Sequence, residues 1–151
     1  MPNWCINELE IIAPSEILLN VVLHYIGSED TAFDFNKILP ILGDYGDDVS
    51  SINLCEKYWG TKWNASDITI YENMVFFDTL WTPPKPVIQQ LADMFGDVVF
   101  IHTYREDNCA FAGRDVYVHS KLVQSMSKNE ERAELDRQLE EMDVIVDDDI
   151  A

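Results

Sequence analysis

The stretch WCINELEIIAPSEILLNVVLHYIG, residues 4–27, decides the fold. Its first part sets Ile6, Leu9, Ile11 and Ile12 against Glu8 and Glu10, the partial alternation of a strand with one wet face. Pro14 and Ser15 end that strand and open a helix, with Ser15 as the expected N-cap. Ile17, Leu18, Val21, Val22, Tyr25 and Ile26 then recur at helical spacing until Gly27 stops them. The unit is a β-strand followed by an amphipathic helix.

Working outward, residues 33–40 form a compact apolar segment ended by Pro40, and a glycine-punctuated loop with Asp44, Asp47 and Asp48 follows. Residues 52–58 predict a short helix, and residues 59–65 an ordered loop with Trp59 and Trp63. Two strands, 68–72 and 74–81, meet at Glu72-Asn73 in a hairpin. The prolines at 83, 84 and 86 end the second strand and lead into a helix over 87–95, closed by Gly96. Residues 98–104 and 108–118 predict two more strands joined by a turn. Residues 128–142 predict a charged helix whose Leu135, Leu139 and Met142 form one narrow apolar stripe. This order predicts an α+β, ferredoxin-like antiparallel sheet with helices packed on one face. The expected domain spans 1–119, and 120–151 is an acidic C-terminal helical extension.

Composition limits function. A chain of 151 residues, 47% hydrophobic and 11% aromatic, has the material for one well-cored domain. Its 28 acids against 10 bases, a net charge of −18, oppose direct binding of nucleic acid or of an anionic membrane and favour basic partners. Solubility alone is the competing account of that charge. Cys5, Cys55 and Cys109 are odd in number and far apart, as expected of reduced thiols in a cytoplasmic protein. The N-terminal residues do not read as a signal peptide, and the apolar run 98–101 is far short of a membrane span.

Catalytic motifs are not found: there is no H-E-x-x-H, C-x-x-C, Walker loop or G-x-S-x-G, so neither an enzyme nor a cofactor is expected. His102 and Cys109 face each other across the last expected hairpin and invite a metal, but their spacing fits no zinc pattern and a satisfied core histidine is the stronger reading. Asp44, Asp47 and Asp48 lack the twelve-residue calcium pattern. Glu106 and Asp107 read as a solvated hairpin tip. Trp59, Trp63 and Trp81 are expected to brace the aromatic loop against the sheet, with a recognition surface as the alternative.

Four blocks carry a family resemblance: Met1-Pro2-Asn3-Trp4-Cys5 with Asn7 and Leu9; Phe33-Asp34-Phe35-Asn36-Lys37-Ile38-Leu39-Pro40; Trp59-Gly60-Thr61-Lys62-Trp63-Asn64-Ala65; and Thr79-Leu80-Trp81-Thr82-Pro83-Pro84 with Pro86-Val87-Ile88. They resemble a ferredoxin-like domain family of phage and plasmid proteins that includes the YubB-type plasmid proteins. The resemblance implies a ferredoxin-like fold, a mobile-element origin and the cytoplasm of a bacterial host, and it implies no catalytic residues. In that setting the expected function is an acidic protein-binding module that inhibits a host defence nuclease, in an anti-CRISPR or anti-restriction role. It would engage a basic nucleic-acid-binding surface, with nucleic-acid mimicry, carboxylates standing where phosphates lie, as the mode considered. Its expected contacts are Asp44, Asp47, Asp48, Glu106, Asp107, Glu130, Glu131, Glu134, Glu140 and Glu141. The alternative is a structural or regulatory interaction module that uses its sheet or its tryptophan loop.

Overall fold

The computed structural model describes residues 3–41, 49–108 and 110–128, the side chains of 49–52 and 127–128 excepted. The expected strand is β1, Trp4–Ile12, and its helix is α1, Glu16–Tyr25. Ser15 caps α1 by accepting from the Leu18 amide at 3.1 Å. A four-residue helix α2, Phe35–Ile38, begins at Asp34, whose side chain accepts from the Asn36 amide. Then come α3, Val49–Trp59; the hairpin of β2, Ser66–Tyr71, and β3, Met74–Leu80; α4, Lys85–Met94; and β4, Val99–Glu106. β5, Ala112–Val118, and β6, Lys121–Lys128, are the last of the described elements.

All six strands lie in one antiparallel sheet, in the order β2-β3-β1-β4-β5-β6. β1 is interior, and Leu9 pairs with Val75 on one side and His102 on the other. The sheet extends past the boundary expected at residue 119, because residues 121–128 form a strand paired along β5 and not a helical extension. The turn before β6 is made by His119 and Ser120, both at positive φ (49° and 67°), as the inward-twisting two-residue hairpin turn requires. It is tied to α4, since Ser120 Oγ donates to the Ala92 carbonyl and Gln89 Nε2 donates to the Ser120 carbonyl. The helix expected over 128–142 lies outside the described residues, apart from Lys128, which ends β6.

Alternation along β1 sends Cys5, Asn7, Leu9 and Ile11 to one face of the sheet, where they are buried. The core on that side is aromatic: Phe33 meets Phe77 and Phe35 edge-on at 4.8 and 5.2 Å, and Phe35 meets Trp59 at 5.7 Å. Each such pair contributes about 0.5–1.5 kcal/mol beyond its buried area. Tyr25 of α1 meets Phe95 just past α4 at 5.5 Å, which closes the helical layer.

The tryptophan loop is a brace. Trp59 is buried and donates from Nε1 to the Leu39 carbonyl at 2.8 Å. Asn64 Oδ1 accepts from the Phe35 amide, and its Nδ2 donates to Asp34. Thr61 Oγ1 donates to the Leu80 carbonyl, and Thr82 Oγ1 donates to the Gly60 carbonyl at 2.6 Å. Gly60 has φ +79°, and a Cβ there would sit 2.7 Å from Pro86 Cδ.

Candidate functional site

The second face of the sheet has no helix over it among the described residues. Its side chains follow from strand parity and register. Phe76, Glu8, Thr103 and Arg114 stand in one row across β3, β1, β4 and β5. Asp78, Ile6, Arg105 and Ala112 make the next row, and Met74, Glu10, Ile101 and Val116 flank the first on its other side. Trp4, Leu80, Ile12, Val99 and Val118 extend the surface towards the strand ends. Antiparallel sheets open to water on one side normally turn polar residues outward. Here most outward positions of β1, β3, β4 and β5 are aliphatic or aromatic, and Ile12 and Tyr71 reach 43% and 66% exposure. Glu8, Glu10, Asp78, Thr103, Arg105 and Arg114 interrupt these apolar positions, most of which are half-buried.

Beneath it, on the helix side, runs a directed chain of buried hydrogen bonds. Thr79 Oγ1 donates to the Thr82 carbonyl at 2.7 Å, so it accepts from Asn7 Nδ2 at 3.0 Å. The Asn7 amide is thereby oriented with Oδ1 towards His102 Nε2, 2.8 Å away, which must carry the proton. His102 Nδ1 is left as a buried lone pair with no partner. Burial, assisted by the nearby Lys85 charge, pulls the His102 pKa down to about 3, so the ring is neutral. Burial also pushes the Cys5 thiol, 3.9 Å from Asn7 Oδ1, up to about 12.

A second polar group lies under the start of α4. Asp115 is 1% exposed; it accepts from Ser125 Oγ at 2.6 Å and stands 3.7 Å from the half-exposed Lys85 ammonium. Lys85 also lies 5.0 Å over the Tyr104 ring. Burial alone would depress Lys85, but Tyr104 and Asp115 outweigh it and raise its pKa. The Tyr104 hydroxyl lies directly against Gly113 on β5, where any side chain would collide with it.

The expected contact residues divide. Asp44, Asp47, Asp48, Glu130, Glu131, Glu134, Glu140 and Glu141 lie outside the described residues. Glu106 is not a solvated hairpin tip: β4 runs two residues further than expected, and parity with His102 and Tyr104 turns Glu106 inward, to 6% exposure. There it accepts from Asn3 Nδ2 at 2.9 Å. Asp107 faces solvent. Burial, then the charges of Asp67 and Asp107, raises the pKa of Asp78, the sheet-face acid of its row. Trp81 is 37% exposed at φ +72°, with the Lys62 ammonium 5.0 Å over its ring. Cys109 lies outside the described residues, and among those described no three His, Cys, Asp or Glu side chains are grouped to hold a metal. No helix among them is long and apolar enough to cross a membrane.

The β2-β3-β1-β4 order, with helices on one face, defines a ferredoxin-like α+β domain, here widened by the β5–β6 hairpin. Residues 58–148 match the family described as the ferredoxin-like domain in Api92-like protein, and the chain belongs to that family. A solved structure, that of protein Api92 from Yersinia pseudotuberculosis, is similar at 22% identity and a TM-score of 0.44. The match covers 52% of this chain and 30% of that one. No curated protein matches the chain.

Proposed function

We propose that this chain is a non-enzymatic protein-binding module of a phage or plasmid, acting in the host cytoplasm and docking through the sheet face that no described helix covers. The observation that carries this reading is the apolar surface built from Trp4, Ile6, Phe76, Leu80, Ile101 and Val116 on a rigid six-stranded support. Interfaces draw their affinity from such aromatic and aliphatic anchors, with charges setting orientation. The test is capture of partners by the intact chain, by Phe76→Glu and by Ile17→Glu, the last on the exposed side of α1. A protein retained at high salt by the native chain and by Ile17→Glu but lost with Phe76→Glu supports the reading. Retention by Phe76→Glu overturns it.

A second reading, an acidic inhibitor of a host defence nuclease, is favoured by the net charge of −18 and by Asp67 and Asp107 each lying near enough to Asp78 to raise its pKa. Its partner would be held at low salt and released at high salt, and neutralising the three aspartates to asparagine would release it at every salt concentration.

A further inference from the structure

Charge is divided across the sheet face that no described helix covers. Glu8, Glu10 and Asp78 stand on β1 and β3, whereas Arg105 and Arg114 stand exposed on β4 and β5. A surface with acids on one half and bases on the other complements itself after a half-turn, which is the requirement of a two-fold interface.

The strand register shows which groups would meet. A two-fold axis parallel to the strands, between β1 and β4, lays β1 of one copy over β4 of the other and β3 over β5. Arg114 then falls on Phe76, its counterpart in the same row, one strand away from Glu8. Arg105 falls on Ile6, one strand away from Asp78. Sheets pack about 10 Å apart, which leaves room for a guanidinium to lie against a phenyl ring and reach the neighbouring carboxylate. Met74 meets Val116 in the third row, where Glu10 falls on Ile101, and each arginine lies on an apolar side chain with an acid on the neighbouring strand. Six strands about 4.8 Å apart and about seven residues long give roughly 600 Å² of flat face before side-chain relief is added, close to the 800 Å² per partner of a standard interface.

We infer that the partner on this face is a second copy of the chain, in a two-fold sheet-on-sheet dimer; the inference rests on the docking reading above. The edge strands β2 and β6 oppose one another at the rim, and the two-fold operation closes the dimer.

Sedimentation equilibrium on the purified full chain tests it, over about 1–500 μM, the range in which a standard-sized interface assembles. The native chain should approach the mass of two chains at the upper end. Arg114→Glu and Glu8→Arg, both exposed positions, should each raise the dissociation constant about tenfold or more, because each sets like charges against each other. The double variant should return to within about threefold of the native value, since the exchanged charges again meet opposites. Circular dichroism on each variant separates a lost dimer from a lost fold. A single-chain mass throughout overturns the inference, and so does a dimer that persists in both single variants. A monomer whose Phe76-dependent capture of another protein survives would leave the docking reading standing with a different occupant; loss of that capture as well would remove both.

Discussion

His102 makes the stability of the fold depend on pH in a calculable way. Its ring is fully buried, neutral and held by Asn7, and its pKa falls from 6.5 to about 3. Between those values the unfolded chain binds a proton that the folded chain refuses, so this group's contribution is fully present above pH 6.5 and is lost as pH falls towards 3. At pH 4 the loss amounts to about 3 kcal/mol, a large share of the stability of a domain this size. Asp78 works in the opposite sense, because its raised pKa means that acidification relieves strain on the fold. The perturbation must therefore isolate the histidine. His102→Gln keeps a donor near the Nε2 position and removes the titration. Urea unfolding of both proteins at intervals from pH 7.5 to pH 4 gives two stability curves. The difference between them should change by about 3 kcal/mol towards the variant as pH falls. Parallel curves would refute the neutral buried ring and the hydrogen-bond direction derived from Thr79.

Three further outcomes follow from the packing. Gly113→Ala should destabilise by about 2–3 kcal/mol, because the new methyl meets the Tyr104 ring and lies 2.7 Å from the Met126 carbonyl; chemical denaturation with the Tyr104→Ala double-mutant cycle should show positive coupling. Gly60→Ala should cost about 1–3 kcal/mol, since it combines a left-handed φ with a 2.7 Å approach to Pro86; the thermal midpoint measures it. Cys5 should resist alkylation at pH 8 in the native state and react on unfolding, as its raised pKa and burial dictate, and peptide mapping by mass spectrometry separates it from the other cysteines.

The first strand, the capped helix and the β2–β3 hairpin were legible because each declares itself within a dozen residues, by period or by turn chemistry. β6 was not. Its turn uses His119-Ser120 where Asn-Gly would have been read, and its Leu122 and Val123 are half-exposed on opposite sides, so no wet and dry face can be told apart. Trp59 as a brace was readable from size alone. The Asn7–Thr79–His102 chain was not, since its members meet only when strands distant in sequence come together. The same holds for Glu106, whose partner Asn3 lies at the other end of the described chain. The sheet face that no described helix covers escaped for a subtler reason. Each strand shows two or three outward apolar residues, an ordinary number, and only the register sums them into one surface.

The interior place of β1 also bears on synthesis. β1 is made early, yet Leu9 must wait for Val75 and then His102 before its backbone is paired on both sides. At roughly 5–20 residues per second of translation, that interval lasts several seconds or longer. Throughout it the nascent chain offers an unpaired strand with the same apolar residues that later form the centre of the sheet. The acids at positions 8 and 10 act as gatekeepers during that wait, breaking an otherwise sticky segment until its partners emerge.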